Sequence, residues 1–425
     1  MQQAAARAVI AALWVVGCAA PATSPQDQDP DDDPEPVEIG GQGGGDESGG
    51  RGGSAGRTPE RDAGPVGGTG GESPDGGGAG APGADAGGRG GADEMPPPGT
   101  VPVVVALGDG AFTMSSCDRG RSWKTKNQFS GERGDHTSWT AFGGLAFGSG
   151  RFVAALGWGA PGHIVGSADA VTWAEVPDAQ FTRGGMPQGL NDSIGGLAFT
   201  GEEFVAYSRY VWRSKDGLAW TTGAGQLPPG AEQLRQLRAF PREGVVVASV
   251  ESQSGRNHPT GNFVVVSSDG GKTWREGTGF DSRCANPIQH VGDIAMIGDV
   301  IVVAADNVCR SGDRGMTWKA LGQPMRANVA GLFADGTSFY ALAGGRLHQS
   351  SDGETWTALS VPPGGAELGA AVGGGFVVMK ADGSNVQYSN DGRAWTKSDR
   401  LDVGGQRIRD LQVGYVTPGA ACPVP

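Results

Sequence analysis

The sequence predicts an all-β fold: a seven-bladed β-propeller of four-stranded antiparallel blades, the first blade closed by the C-terminal strand. Three observations carry this. A short turn, "SSDGGKTW" at Ser267–Trp274, recurs in seven worn copies. Paired stretches of strand length and apolar or alternating character precede the copies. The first repeat lacks one strand, and a spare one stands near the C-terminus.

The copies begin at Ser116, Ser167, Ser214, Ser267, Ser311, Ser350 and Ser389. Each keeps an aspartate: Asp118, Asp169, Asp216, Asp269, Asp313, Asp352 and Asp391. Each also ends on a tryptophan: Trp123, Trp173, Trp220, Trp274, Trp318, Trp356 and Trp395. The aspartates are 51, 47, 53, 44, 39 and 39 residues apart, the period of a propeller blade. Strand pairs are read in 143–156, 195–207, 237–249, 294–305, 331–343 and 369–381. A third strand leads into each serine and a fourth starts at each tryptophan, giving a four-stranded meander. A sheet of that size cannot cover both its faces alone, so the sheets stack around an axis.

The stretch opening at Val101 aligns with the second strand of the other repeats, and residues 407–416 supply the missing first strand. One blade is therefore shared between both ends of the folded region, 101–425, which removes open sheet edges. Cys117 lies in that blade and Cys422 follows its closing strand, so these two are expected to pair. Cys284 and Cys309 then staple the fifth blade. All five tyrosines, Tyr207, Tyr210, Tyr340, Tyr388 and Tyr415, are expected on strands.

Ahead of the propeller, Arg7 and the apolar run Ala8–Val16 read as a signal peptide over residues 1–17, too short to span a bilayer. Residues 18–100 cannot form a core. The stretch 40–100 holds 25 glycines in 61 positions, and an acidic Pro-rich run precedes it. This segment is read as a disordered tether. It also explains the charge. Residues 1–100 hold 16 acids and 5 arginines, leaving 30 acids and 28 bases, a net −2, for the propeller against −13 for the chain. A nearly neutral domain has no basic footprint, so nucleic acid is excluded as a partner. Without CxxC spacing and with scattered histidines, no metal or other cofactor is expected.

The turn residues have a structural reading. Ser and Asp side chains accept turn N–H groups, Gly permits positive φ, and Trp wedges between layers. A catalytic reading would need seven equivalent sites around the ring. Any ligand site is expected instead on loops joining successive blades or second to third strands. Candidates there are Arg133, Asp135, His136, Trp158, His163, Arg183, Asp192, His258, Arg283 and His290. A tryptophan among polar side chains suits a sugar, whose apolar face stacks on the ring.

Two resemblances add to this. "VVGC" at Val15–Cys18 resembles the lipobox of bacterial lipoproteins, which implies cleavage before Cys18 and lipid attachment to it. Ala19 rather than Asp after the cysteine implies, by that family's sorting rule, the outer membrane. The S-x-D-(x)-G-x-T/S-W turns resemble the Asp-box, or bacterial neuraminidase repeat, over residues 101 to about 418. Sialidases, xyloglucan-degrading glycosidases, sorting receptors and photosystem assembly factors carry it, at the blade periphery, so it implies fold more than activity. The sialidase "FRIP" or "YRIP" arginine motif is missing; the nearest string is "FPRE" at Phe240–Glu243. The expectation is a monomeric, non-catalytic propeller, held to the membrane by its lipid alone, that binds a glycan or envelope protein. The alternative is an extracellular glycoside hydrolase of sialidase-like fold with a divergent active site.

Overall fold

The computed structural model describes residues 98–425 apart from 111, 129–143, 158–161, 188–189, 191–193, 209, 228–230, 232, 252–262, 285–291, 306, 323–324, 326–328, 420–421 and 423–425. These residues belong to the compact unit Gly78–Pro425. Cys18 and the expected tether up to residue 97 lie outside the described residues.

The strand pairs build seven sheets. Blade 1 runs from rim to axis as Lys124–Gln128, Phe112–Ser116, Val101–Gly108 and Ile408–Val416. The other blades run from axis to rim in chain order. Blade 2 is Gly144–Gly148, Arg151–Leu156, His163–Ser167 and Ala174–Glu175. Blade 3 is Gly196–Phe199, Phe204–Tyr207, Val211–Ser214 and Trp220–Thr222. Blade 4 is Gln233–Phe240, Val245–Glu251, Phe263–Ser267 and Arg275–Glu276. Blade 5 is Asp293–Ile297, Val300–Ala304, Val308–Ser311 and Lys319–Ala320. Blade 6 is Val329–Ala334, Phe339–Ala343, Arg346–Ser350 and Thr357–Ser360. Blade 7 is Leu368–Val372, Gly375–Met379, Val386–Ser389 and Thr396–Lys397. Innermost strands touch their neighbours around a closed ring.

Closure happens where the sequence places it. Val101–Gly108 pairs antiparallel with Ile408–Val416, from Val101 opposite Val416 to Leu107 opposite Asp410. The Cys117–Cys422 disulfide clasps this blade across 305 residues, and Cys284–Cys309 closes a loop of 25 in blade 5. The longer loop removes more chain entropy from the unfolded state. Two details depart from expectation. Blade 3 has six strands, because Phe181–Arg183 and Met186–Pro187 add to its outer edge. Tyr210 lies between strands rather than on one; the other four tyrosines are on strands.

The core is seven cores, one at each junction between blades. The period of two along each strand divides its side chains between the neighbours. On Arg151–Leu156, Phe152, Ala154 and Leu156 pack towards blade 1, whereas Val153 and Ala155 pack towards blade 3. Both faces are buried, so these strands read as near-continuous apolar runs.

The recurring turn binds its own backbone. In every copy the serine hydroxyl donates to the aspartate, at 2.7 Å in the fourth copy and up to 3.0 Å in the second, third and seventh. Every aspartate also accepts a backbone N–H from the end of the turn, for example Ser122, Thr273 and Thr317 at 2.8–2.9 Å. In three copies a hydroxyl adds a 2.6 Å bond to the second carboxylate oxygen. Trp123, Trp173, Trp220 and Trp356 donate their indole N–H to the carbonyl three residues back, at 3.2–3.3 Å.

The same turn also receives the preceding blade. Arg213 donates to the Gly270 carbonyl at 3.0 Å, Arg275 to Arg314 at 2.9 Å and Arg310 to Asp352 at 2.8 Å. Ser360 donates to Gly392 at 2.5 Å, and Ser398 to Arg121 at 2.9 Å. Thr182, on the connection from blade 2, reaches the Trp220 carbonyl at 3.5 Å. Each hairpin is thus fixed within its blade, and among the described residues six of the seven present a carbonyl to the chain entering from the neighbouring blade.

Burial opposes ionisation of Asp269 and Asp313, but hydroxyl and N–H donors outweigh it and hold both at about 2. At Asp352 the N–H groups of Thr355 and Glu354 lead, again giving about 2. The other four aspartates are lowered in the same sense. A carboxylate lowered by folding adds stability that is complete above its unfolded value near 4 and lost as pH falls towards 2. The melting temperature is therefore expected to drop steeply between pH 4 and 2. Asp313→Asn is expected to lower it at pH 6 and to flatten the acid limb, as followed by circular dichroism.

Candidate binding face and central channel

The inner strands meet around the axis, and two of them carry an aspartate at an equivalent register. Asp293 in blade 5 accepts the N–H of Leu332 in blade 6 at 3.1 Å. Asp410 in blade 1 accepts the N–H of Leu145 in blade 2, also at 3.1 Å. Each carboxylate thus links its own blade to the next. Asp410 also accepts the Leu411 N–H at 3.0 Å.

Arg238 adds a longer reach. It lies on the inner strand of blade 4, yet its Nη2 stands 3.5 Å from Asp410 Oδ1 in blade 1. Those blades are not neighbours in the ring, so this side chain crosses the axis. Both partners are buried, with side chains 5% and 4% exposed. Nη1 donates to the Leu237 carbonyl at 3.2 Å. Gly144 packs beside the pair on a backbone with φ of +90°, which favours glycine there. A buried ion pair therefore spans the axis, and removing one partner leaves an uncompensated charge.

On the face made by connections between blades, a cleft of about 450 Å³ opens between blades 7 and 1. Asp382, Arg400, Asp402, Gln406 and Arg407 line it, with main chain from Gly404 and Gly405. Asp382 is held below the usual carboxylate range, first by the Ser384 hydroxyl and then by its N–H, with Lys380 and Arg400 adding to it. Asp402 accepts the Gly404 N–H at 3.1 Å, and Arg407 stands 3.5 Å from Glu367. On the closing strand that follows, Arg409 Nη2 lies 2.6 Å from the buried Asp109. Two guanidinium groups, an amide and glycine backbone offer donors to hydroxyls and carboxylates of a ligand.

Only three of the loop candidates fall on described residues, and they stand in three separate places. His163 is on a strand inside blade 2, 3% exposed, with Nδ1 at 2.6 Å from Glu175. Arg183 is on the added outer edge of blade 3, lying over the Tyr210 ring at 4.5 Å and donating to its hydroxyl at 2.9 Å. Arg283, in the connection from blade 4 to blade 5, grips Asp281 through Nη2 at 2.7 Å and Nε at 3.0 Å. Arg133, Asp135, His136, Trp158, Asp192, His258 and His290 lie outside the described residues. Sequence reasoning missed the cleft, whose only signal was polar, Gly-rich chain at 380–385 and 398–407. Among the described residues, no three His, Cys, Asp or Glu gather as metal ligands.

Residues 297–406, from blade 5 to the connection before the closing strand, match a family model described as the DUF6242 beta propeller domain. Among solved structures, the chain is similar to YCF48 bound to D1 peptide, at 16% identity over 76% of this chain and 96% of that one, with a TM-score of 0.45. It is also similar to YCF48 from Cyanidioschyzon merolae, at 13% identity, 65% and 98% coverage and a TM-score of 0.41. A GH74 enzyme from Niastella koreensis shows 16% identity, 70% and 47% coverage and a TM-score of 0.29. No curated protein matches the chain. The class that the fold defines is a ring-closed, seven-bladed β-propeller.

Removing only the cation from the channel strands Asp410 in low dielectric. Arg238→Met is expected to destabilise the protein by about 3–5 kcal/mol in chemical denaturation. Arg238→Met with Asp410→Asn is expected to recover most of that loss.

Proposed function

We propose that this chain is an exported, lipid-anchored Asp-box propeller that binds a glycan or protein partner at the cell envelope and does not catalyse a reaction. One observation carries the reading. The buried Arg238–Asp410 pair spans the axis, and its carboxylate is engaged by the Leu145 N–H of blade 2 and the Leu411 N–H of its own strand rather than offered to a substrate. The ligand-accessible chemistry lies instead on loops and clefts, where charged side chains stand beside glycine backbone. Cys18 carries the lipid in this proposal, and residues 18–100 hold the propeller clear of the outer membrane as a monomer.

Two experiments test the parts separately. Cells fed radiolabelled palmitate are expected to label the wild-type chain and not Cys18→Ala; equal labelling contradicts the anchor. The intact chain is expected to capture envelope glycans on an array, or envelope proteins by crosslinking, without releasing products. Hydrolysis of any arrayed glycan would replace binding with a glycosidase activity.

A further inference from the structure

The rim of the ring shows how the chain covers two of its turn tryptophans. In blade 3, Phe181–Thr182 pairs parallel with Trp220–Thr221, and Phe181 stacks on Trp220 at 6.2 Å. In blade 5, Thr278 bridges Thr317 in parallel, and Phe280 meets Trp318 edge-on at 5.4 Å. The Thr278 N–H donates to the Met316 carbonyl at 2.9 Å, and the Trp318 N–H donates back at 2.8 Å. Both tryptophans are buried, at 0% and 6% exposure.

Blade 4 lacks that cover, as do blades 1, 2, 6 and 7, whose turn tryptophans are also half-buried. The connection entering blade 4, Gly223–Leu227, packs Leu227 against the same core as Trp274 and lines one cleft with it, and Trp274 stays half-buried. A cleft of about 700 Å³ remains between that connection and Lys272–Trp274. The positions matching Met316 C=O and Trp318 N–H are Lys272 C=O and Trp274 N–H, on the cleft wall. Among the described residues neither has a backbone partner. Tyr207 donates its hydroxyl to the Gly271 carbonyl, the position that takes the indole N–H in four other copies. The ring is thereby held by its edge contact with Tyr207, at 5.8 Å, while the turn beside it lines the cleft.

We infer that this cleft is a docking site for an extended segment of a partner protein, which adds in parallel beside Lys272–Trp274 and places an aromatic side chain against Trp274. The occupant is a peptide because in blades 3 and 5 the chain itself fills the equivalent place with peptide, each time with a phenylalanine. Main-chain bonds supply affinity in such strand addition and the aromatic pocket supplies selectivity. The inference rests on the binding reading above and narrows its partner to protein.

The test uses the intact chain and a fluorescein-labelled peptide copying residues 178–187, which carries Phe181. Fluorescence anisotropy is expected to show saturable binding, weakened about tenfold or more when the peptide carries Phe181→Ala. Leu227→Phe fills the cleft without removing Trp274 and is expected to abolish binding; Trp274→Leu should weaken it about tenfold, and Trp356→Leu should leave it unchanged. No saturable binding up to about 1 mM peptide overturns the inference, as does equal binding by Leu227→Phe. Oligosaccharide binding that is lost in Leu227→Phe, with no peptide binding, also overturns it. Envelope capture that persists in Leu227→Phe removes this site and leaves the broader binding reading intact. Peptide binding without any envelope capture does the reverse.

Discussion

A carboxylate that closes its own turn is the interaction on which this ring depends. Each aspartate gathers a serine hydroxyl and one or more N–H groups, so the hairpin is fixed by bonds within itself. The fixed turn then points carbonyls outward, and arginine or serine side chains of the preceding blade bind them. Local order becomes ring order through the same few atoms. Because the donors are exposed and individually modest, strength comes from repetition and from the apolar layers behind them.

That arrangement divides the molecule by task. The turn face and rim hold the blades together, and the axis is spanned by the Arg238–Asp410 pair. What remains for partners is the loop face, with its polar cleft between blades 7 and 1, and the gap at Trp274 where the chain withholds a phenylalanine. Blades 3 and 5, where a phenylalanine covers the turn tryptophan, show what kind of segment fits there.

Much of the fold was legible because propeller physics is written locally. Ser, Asp and Trp at fixed spacing gave the seven turns, and the stray strand 407–416 gave the closing blade and both disulfide pairs. The six-stranded blade 3 was not legible, since Phe181–Arg183 is short and joins its sheet in parallel from a connecting segment. Tyr210 deceived for a related reason: it sits in the tight connection between two strands and packs on Arg183 there. The axial pair escaped because Arg238 and Asp410 are 172 residues apart and belong to blades that meet only across the channel. His163 looked like a loop ligand from composition, but strand register puts it against Glu175 inside blade 2.

Native-state hydrogen exchange at the turn amides probes the central claim most directly. Amides such as Ser122, Thr172, Thr273, Thr317 and Thr355, each bonded to its aspartate, report whether the seven turns stand or fall together. The account predicts protection of all seven turns, lost in one cooperative opening. Turn amides that exchange at the rate of free chain while the strands stay protected would contradict it.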